Sequence, residues 1–202
     1  LIKKIKNVNL INTISITGIS EKERIIINKE LKGFLKKNIL FINKNLFFEK
    51  LNKFNFLDNI RVQKILPSKI IIYVKKTSFL GITIINGEKF YIGSNSKFTK
   101  MDQVNYEKKL PFVFGNFEIN EFLNLYNILK NQKIDLNNIE KYYYYRNKRW
   151  DIINKNGLTI KLPSKNIKDS IEIFNKLNSV NKLDSIKILD LRIPNQIILS
   201  DE

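Results

Sequence analysis

Twice in this chain an Asn-Gly pair stands between two short β-rich runs. Asn86-Gly87 separates Ile82–Ile85 from Glu88–Ile92, and Asn156-Gly157 separates Trp150–Asn154 from Leu158–Leu162. The first pair predicts a hairpin closed by a primed turn, because Asn and Gly tolerate the positive φ angles that such a turn needs. Around the second, Leu158, Ile160 and Leu162 alternate against Thr159 and Lys161, the period of a half-buried strand. A further hairpin is predicted at Pro67-Ser68, between Ile60–Leu66 and Lys69–Val74. Any helices must therefore be fitted around antiparallel strands.

Helical signals lie between these hairpins. Ser20 and Glu23 form the S-x-x-E pattern of a capping box, and Ile27, Leu31, Phe34 and Leu35 follow on one helical face. Lys36, Lys37 and Asn38 suit the end of that helix. A second helix is expected after Asn45, with Phe47, Leu51 and Phe54 inward. Before them, Ile14 and Ile16 alternate in a short strand closed by Gly18. The order is strand-helix-helix-strand-strand, with both hairpin strands expected beside the first strand. Later stripes, Ile119-Phe122-Leu123-Tyr126-Leu129 and Ile167-Ile171-Phe174-Leu177, predict two more helices. Ser185–Leu199 reads as strand, broken at Pro194-Asn195. The expected class is α+β: a βααββ domain over 1–78, then a mixed, mainly antiparallel β domain with two helices over 79–202. The boundary falls near Thr77–Gly81, with no long linker.

Composition removes much chemistry. There is no Cys and no His, which excludes disulfides, Cys/His zinc sites, cysteine nucleophiles and histidine bases. No phosphate-binding glycine motif occurs. Asp135, Glu140, Asp151, Asp184 and Asp190 fall in different segments without metal or acid/base spacing, and most are expected on solvated surface or at turns. No catalytic, cofactor or metal residue is assigned. No apolar run approaches the ~18 residues of a membrane helix. The charge is 36 − 19 = +17, but the lysines are spread along the chain without a block of five like charges. Ile (35), Lys (31) and Asn (28) supply almost half of the 202 residues, and Ala is absent. AT-rich codons explain part of that basicity.

Two stretches carry competing readings. Tyr142-Tyr143-Tyr144-Tyr145-Arg146-Asn147-Lys148-Arg149-Trp150 interleaves rings and cations, as a single-strand-binding surface does. The plainer reading is a strand with two tyrosines inward and two outward. Asp190-Leu191-Arg192 either forms a surface ion pair or helps to hold a partner.

The βααββ unit resembles a POTRA domain. Several segments, in order over nearly the whole chain, resemble the FtsQ/DivIB cell-division family: Ile14–Gly18, Phe56–Pro67 with Ile70–Val74, Leu110–Gly115, Arg149-Trp150-Asp151 with Asn156-Gly157, Leu162-Pro163, and Leu189-Asp190-Leu191-Arg192-Ile193-Pro194. The resemblance implies a POTRA domain over 1–78 and an FtsQ-type β domain over 79–202. It implies a non-catalytic divisome scaffold that is single-pass in the inner membrane, with its bulk in the periplasm at the septum and its membrane helix before Leu1. It implies FtsB and FtsL as partners. The contact residues it implies are Arg192, Ile193, Asn195, Gln196, Ile197, Ile198 and Leu199, on a closing strand that would accept a partner strand. Two other classes stay open: a POTRA-containing translocation or outer-membrane assembly factor, and a basic nucleic-acid-binding module. On the leading reading no nucleic-acid partner is expected.

Overall fold

The computed structural model describes residues 9–180, 183, 185–194 and 196–201. Two compact units emerge: one runs to Ser78 and includes Lys97–Glu107, and the other comprises Phe79–Ser96 and the chain from Lys108. The architecture is α+β.

In the first unit, β1 (Thr13–Thr17) leads to α1 (Glu21–Leu31) and α2 (Asn45–Leu51), then to β2 (Leu57–Ile65) and β3 (Lys69–Lys76). The strand order is β1-β3-β2, so only β3 of the hairpin lies beside β1. β1 runs parallel to β3, with Ile16 opposite Ile72, and β2 runs antiparallel to it, with Val62 opposite Ile72. Ile16, Ile27, Leu31, Phe47, Leu51, Ile70 and Ile72 are buried. The capping box forms, with the Ser20 N–H donating to Glu23 Oε2 at 2.8 Å. Leu35 departs from the expected stripe. The helix ends at Leu31 and tightens into a 3₁₀ turn over Lys32–Phe34, which buries Phe34 and leaves Leu35 exposed. The segment with the short strand β6 (Phe98–Lys100) is held in this unit by Asn55 Nδ2, which donates to the Phe98 carbonyl at 2.8 Å.

The second unit contains β4 (Phe79–Ile85), β5 (Glu88–Gly93), β7 (Phe112–Phe114), α3 (Ile119–Asn131), β8 (Ile139–Tyr144), β9 (Trp150–Asn154), β10 (Thr159–Lys161), α4 (Ile167–Ser179), β11 (Ile188–Asp190) and β12 (Ile198–Ser200). Its strands run β12-β11-β10-β9-β8-β7-β4-β5. Asn86 (φ 51°) and Gly87 (φ 80°) both take left-handed conformations, which closes the β4–β5 hairpin with a primed turn. At the β9–β10 hairpin only Gly157 (φ 89°) does so, and Asn154 N–H reaches the Leu158 carbonyl across a three-residue loop.

The sequence pattern did not disclose the parallel pairs β7–β8 and β10–β11. Parallel neighbours need a crossover, and α3 and α4 provide one each. The two helices touch: Asn175 Nδ2 donates to the Gln132 carbonyl at 2.9 Å. Beneath α3, Phe122 meets Tyr142 edge-on, with ring centroids 5.3 Å apart.

Candidate partner-binding edge

β12 ends the strand order, and among the described residues no strand lies on its outer side. It pairs antiparallel with β11, with Asp190 opposite Ile198 and Leu189 opposite Leu199. The Ser200 carbonyl accepts from Lys187 N–H at 2.9 Å and so faces β11. Backbone polar groups alternate sides along a strand. Ile198 therefore faces β11 like Ser200, while the N–H and C=O of Leu199 face the open edge.

Register places Leu199 at the end of a transverse row. Val113, Tyr142, Ile152, Ile160, Leu189 and Leu199 stand side by side across β7 to β12. The first five are buried beneath the helices, whereas Leu199 is 42% exposed. The apolar core thus runs out to an uncovered edge. Ile193, Ile197 and Ile198 are also exposed, by 47 to 49%, so they are surface residues and not core. Arg192 and Gln196 are exposed beside them. Asn195, the remaining candidate, lies outside the described residues.

On the other face a second row reads Phe114, Tyr143, Asp151, Lys161, Asp190 and Ile198. Lys161 thus has a buried carboxylate on either side, Asp151 and Asp190. The sequence spacing had treated these two as unrelated, and surface was the expectation for most of the acids. Asp135 does serve a turn, accepting from Asn137 N–H at 3.0 Å. Asp184 lies outside the described residues.

Asp190 is closed by Arg192. Arg192 Nε lies 2.8 Å from Oδ1 and 2.9 Å from Oδ2, Nη2 donates to Oδ2, and the backbone N–H of Arg192 donates to Oδ1 at 3.0 Å. These bonds hold the carboxyl of Asp190 below the usual range in spite of burial. They also raise the pKa of Arg192. Burial has the opposite outcome at Asp151, whose pKa is raised although Arg149 Nη1 lies 3.3 Å from Oδ1. The guanidinium of Arg149 also sits 4.1 Å from the Tyr145 ring centroid.

The tyrosine run splits by strand alternation. Tyr142 and Tyr144 lie on the helix side, with Tyr144 and Trp150 centroids 4.7 Å apart, while Tyr143 stacks at 5.1 Å on Phe114 on the other face. Tyr145 is exposed in the hairpin loop.

Between α4 and the segment that follows β11 opens a cleft of about 450 Å³, lined by Pro163, Ile173, Leu191, Arg192, Ile193 and Gln196 among others. Sequence reasoning reached the last three of these as site residues. It missed the contribution of α4, because neither the helix nor the Leu162-Pro163 turn reveals its neighbours by local pattern.

Residues 84–192 match the family described as "Cell division protein FtsQ/DivIB, C-terminal". The chain belongs to the FtsQ/DivIB family. It is 27% identical over 196 residues to cell division protein FtsQ of Rickettsia bellii (strain RML369-C), across 92% of this chain and 70% of that protein. It is 28% identical over 156 residues to cell division protein FtsQ of Rickettsia conorii (strain ATCC VR-613 / Malish 7), across 72% of this chain and 55% of that protein. The FtsQ/DivIB match takes in the Asp190–Arg192 pair and stops before β12.

Proposed function

We propose that this FtsQ/DivIB chain is a non-catalytic scaffold of the division machinery whose β12 edge receives a strand from FtsB, with FtsL in the same assembly. The protein is then the periplasmic bulk of a single-pass inner-membrane protein at the septum, with its membrane helix before Leu1. Its first unit acts as a POTRA domain and its second as the FtsQ-type β domain. The observation that carries the reading is Leu199, the half-exposed end of an otherwise buried row. An added strand would extend that row over Leu199 and satisfy its outward N–H and C=O. The exposed Ile193, Ile197 and Ile198 add apolar area around it. Arg192 has donors in its fork beyond those that reach Asp190, and these suit an acidic side chain of the partner. The excess of lysine steers such a partner without fixing its register.

The test is capture of FtsB by the immobilised chain. Leu199→Pro removes an outward N–H and leaves the inward ladder of β12 intact, so the variant should fold and lose capture. Ile197→Asp should weaken capture through charge and lost apolar contact. If both variants fold and capture FtsB like wild type, strand addition at β12 is wrong.

A further inference from the structure

We propose that the turn carrying Leu40 and Phe41, in the first unit, is a membrane-surface contact that seats an apolar tip among anionic lipid headgroups. The residues of this turn divide sharply. Ile39 and Ile42 are buried, whereas Leu40 is 50% exposed and Phe41 is 86% exposed. On either side of the turn in sequence, Phe34 and Phe47 pack on each other with ring centroids 4.3 Å apart.

The backbone holds the tip outward. Leu40 N–H donates to Asn38 Oδ1 at 2.9 Å, and Ile42 N–H to the Asn38 carbonyl at 3.2 Å. Ile39 N–H donates to the Asn9 carbonyl at 2.8 Å, and Lys64 Nζ reaches the Leu40 carbonyl at 3.3 Å. A turn fixed from both sides presents Phe41 by construction, so its exposure follows from the fold.

Along the chain on either side of the tip, from residue 32 to residue 46, charge has one sign. Residues 32–46 contain Lys32, Lys36, Lys37 and Lys44 and no Asp or Glu, and all four lysines are exposed. Cations that stay at phosphate depth while apolar side chains go deeper are the pattern of an interfacial anchor. A protein partner is the poorer fit. Two adjacent exposed side chains offer far less than the roughly 800 Å² per partner of a stable protein interface. A lipid surface needs only a tip that reaches about 5–10 Å into the headgroup boundary. The inference agrees with a membrane-anchored protein but does not require one, since the chain by itself should bind vesicles.

The experiment is co-sedimentation of the 202-residue chain with vesicles of phosphatidylcholine, alone or mixed with phosphatidylglycerol. Binding to the mixed vesicles should fall about tenfold or more in the double variant Leu40→Ser/Phe41→Ser, with circular dichroism and melting temperature unchanged. Lys36→Glu/Lys37→Glu should weaken it too. In Phe41→Trp, the new indole should shift to the blue with mixed vesicles, against the constant signal of buried Trp150. The proposal is overturned if the wild type ignores the mixed vesicles or if the serine variant binds them equally. It is also overturned if the indole at position 41 keeps its aqueous emission on bound protein. Loss of capture of a division protein by the serine variant, with vesicle binding intact, would assign the tip to that protein instead.

Discussion

Arg192 folds back on Asp190 two residues earlier, and through Nε, Nη2 and its own backbone N–H it occupies both carboxylate oxygens. The pair sits where β11 ends, so the arginine belongs to the fold as well as to the surface. Its head is 42% exposed while Asp190 is buried. Arg192→Glu would strand a buried carboxylate beside a new negative charge, and so would report on folding as well as on capture. For that reason the capture experiment relies on Leu199 and Ile197.

The same pair makes stability depend on pH. The folded pKa of Asp190 is depressed, chiefly by the hydrogen bond from Arg192. Its contribution is complete above the unfolded carboxylate value of about 4 and is lost as pH falls through the lower folded value. Asp151 is raised by burial and works in the opposite sense, favouring the fold as pH falls. Asp190→Asn should therefore flatten the loss of stability below about pH 4, and Asp151→Asn should remove a gain in stability that the wild type makes as pH falls towards about 4. Urea midpoints measured across the acid range check both slopes.

Glu23 and Lys76 form the corresponding pair in the first unit. Glu23 is fully buried at the start of α1, and Lys76 Nζ lies 2.6 Å from its Oε1. Burial would raise the carboxyl pKa, but the bonds from Lys76 and the Ser20 N–H outweigh it and the net direction is down. Lys76→Met leaves that carboxylate without its cation. The loss should be about 2 kcal/mol, below the 3–5 of a fully enclosed pair because Lys76 keeps some contact with water. Adding Glu23→Gln to Lys76→Met should recover part of it. A double-mutant cycle from urea unfolding measures the coupling, and additive losses would contradict it.

How far the sequence could be read depended on the range of the signal. The capping box at Ser20–Glu23, the primed turn at Asn86-Gly87 and the stripes of α3 and α4 are local, and each was legible in a few neighbouring residues. Phase errors arose where a helix stopped early: Leu35 continues the stripe of Ile27 and Leu31 on paper, but the 3₁₀ turn after Leu31 rotates it outward. Long-range register was not legible. Nothing near Asp151 or Asp190 reveals that Lys161 stands between them, because that depends on one antiparallel and one parallel pairing. The candidate residues were nominated by family resemblance. The exposure of the described candidates and the outward backbone of Leu199 came only from the fold.

Two glycines separate backbone strain from steric exclusion. Gly115 (φ +111°) and Gly157 (φ +89°) both occupy conformations that disfavour a side chain. A Cβ at Gly157 would meet nothing within 4 Å, whereas one at Gly115 would lie 2.2 Å from the Tyr144 carbonyl oxygen. Gly157→Ala should thus cost only the conformational penalty, about 1–2 kcal/mol. Gly115→Ala forces β7 and β8 to move and should cost clearly more. Thermal unfolding of the two variants side by side gives the comparison, and equal losses would mean that the β8 backbone yields freely.

The tyrosine run offers a test in which two like substitutions should have opposite signs. The hydroxyl of Tyr142 is buried without a hydrogen-bond partner, and burial pushes its pKa up. Tyr142→Phe removes a desolvated polar group and keeps the ring against Phe122, so stability should be unchanged or rise by up to about 1 kcal/mol. Tyr144, one residue further on, donates its hydroxyl to Glu121 Oε1 at 2.5 Å. Burial and then this bond push its pKa up to about 12. The same bond is the chief cause that lowers the pKa of Glu121, whose other oxygen accepts from the Glu118 N–H at 2.9 Å at the start of α3. Tyr144→Phe should cost about 1 kcal/mol near neutral pH. The cost should shrink in acid, because a lowered carboxyl pKa gives stability that disappears as pH falls through it. Melting curves of both variants at neutral and acid pH measure the two signs, and equal losses at both positions would mean that the Tyr142 hydroxyl finds a partner in solution.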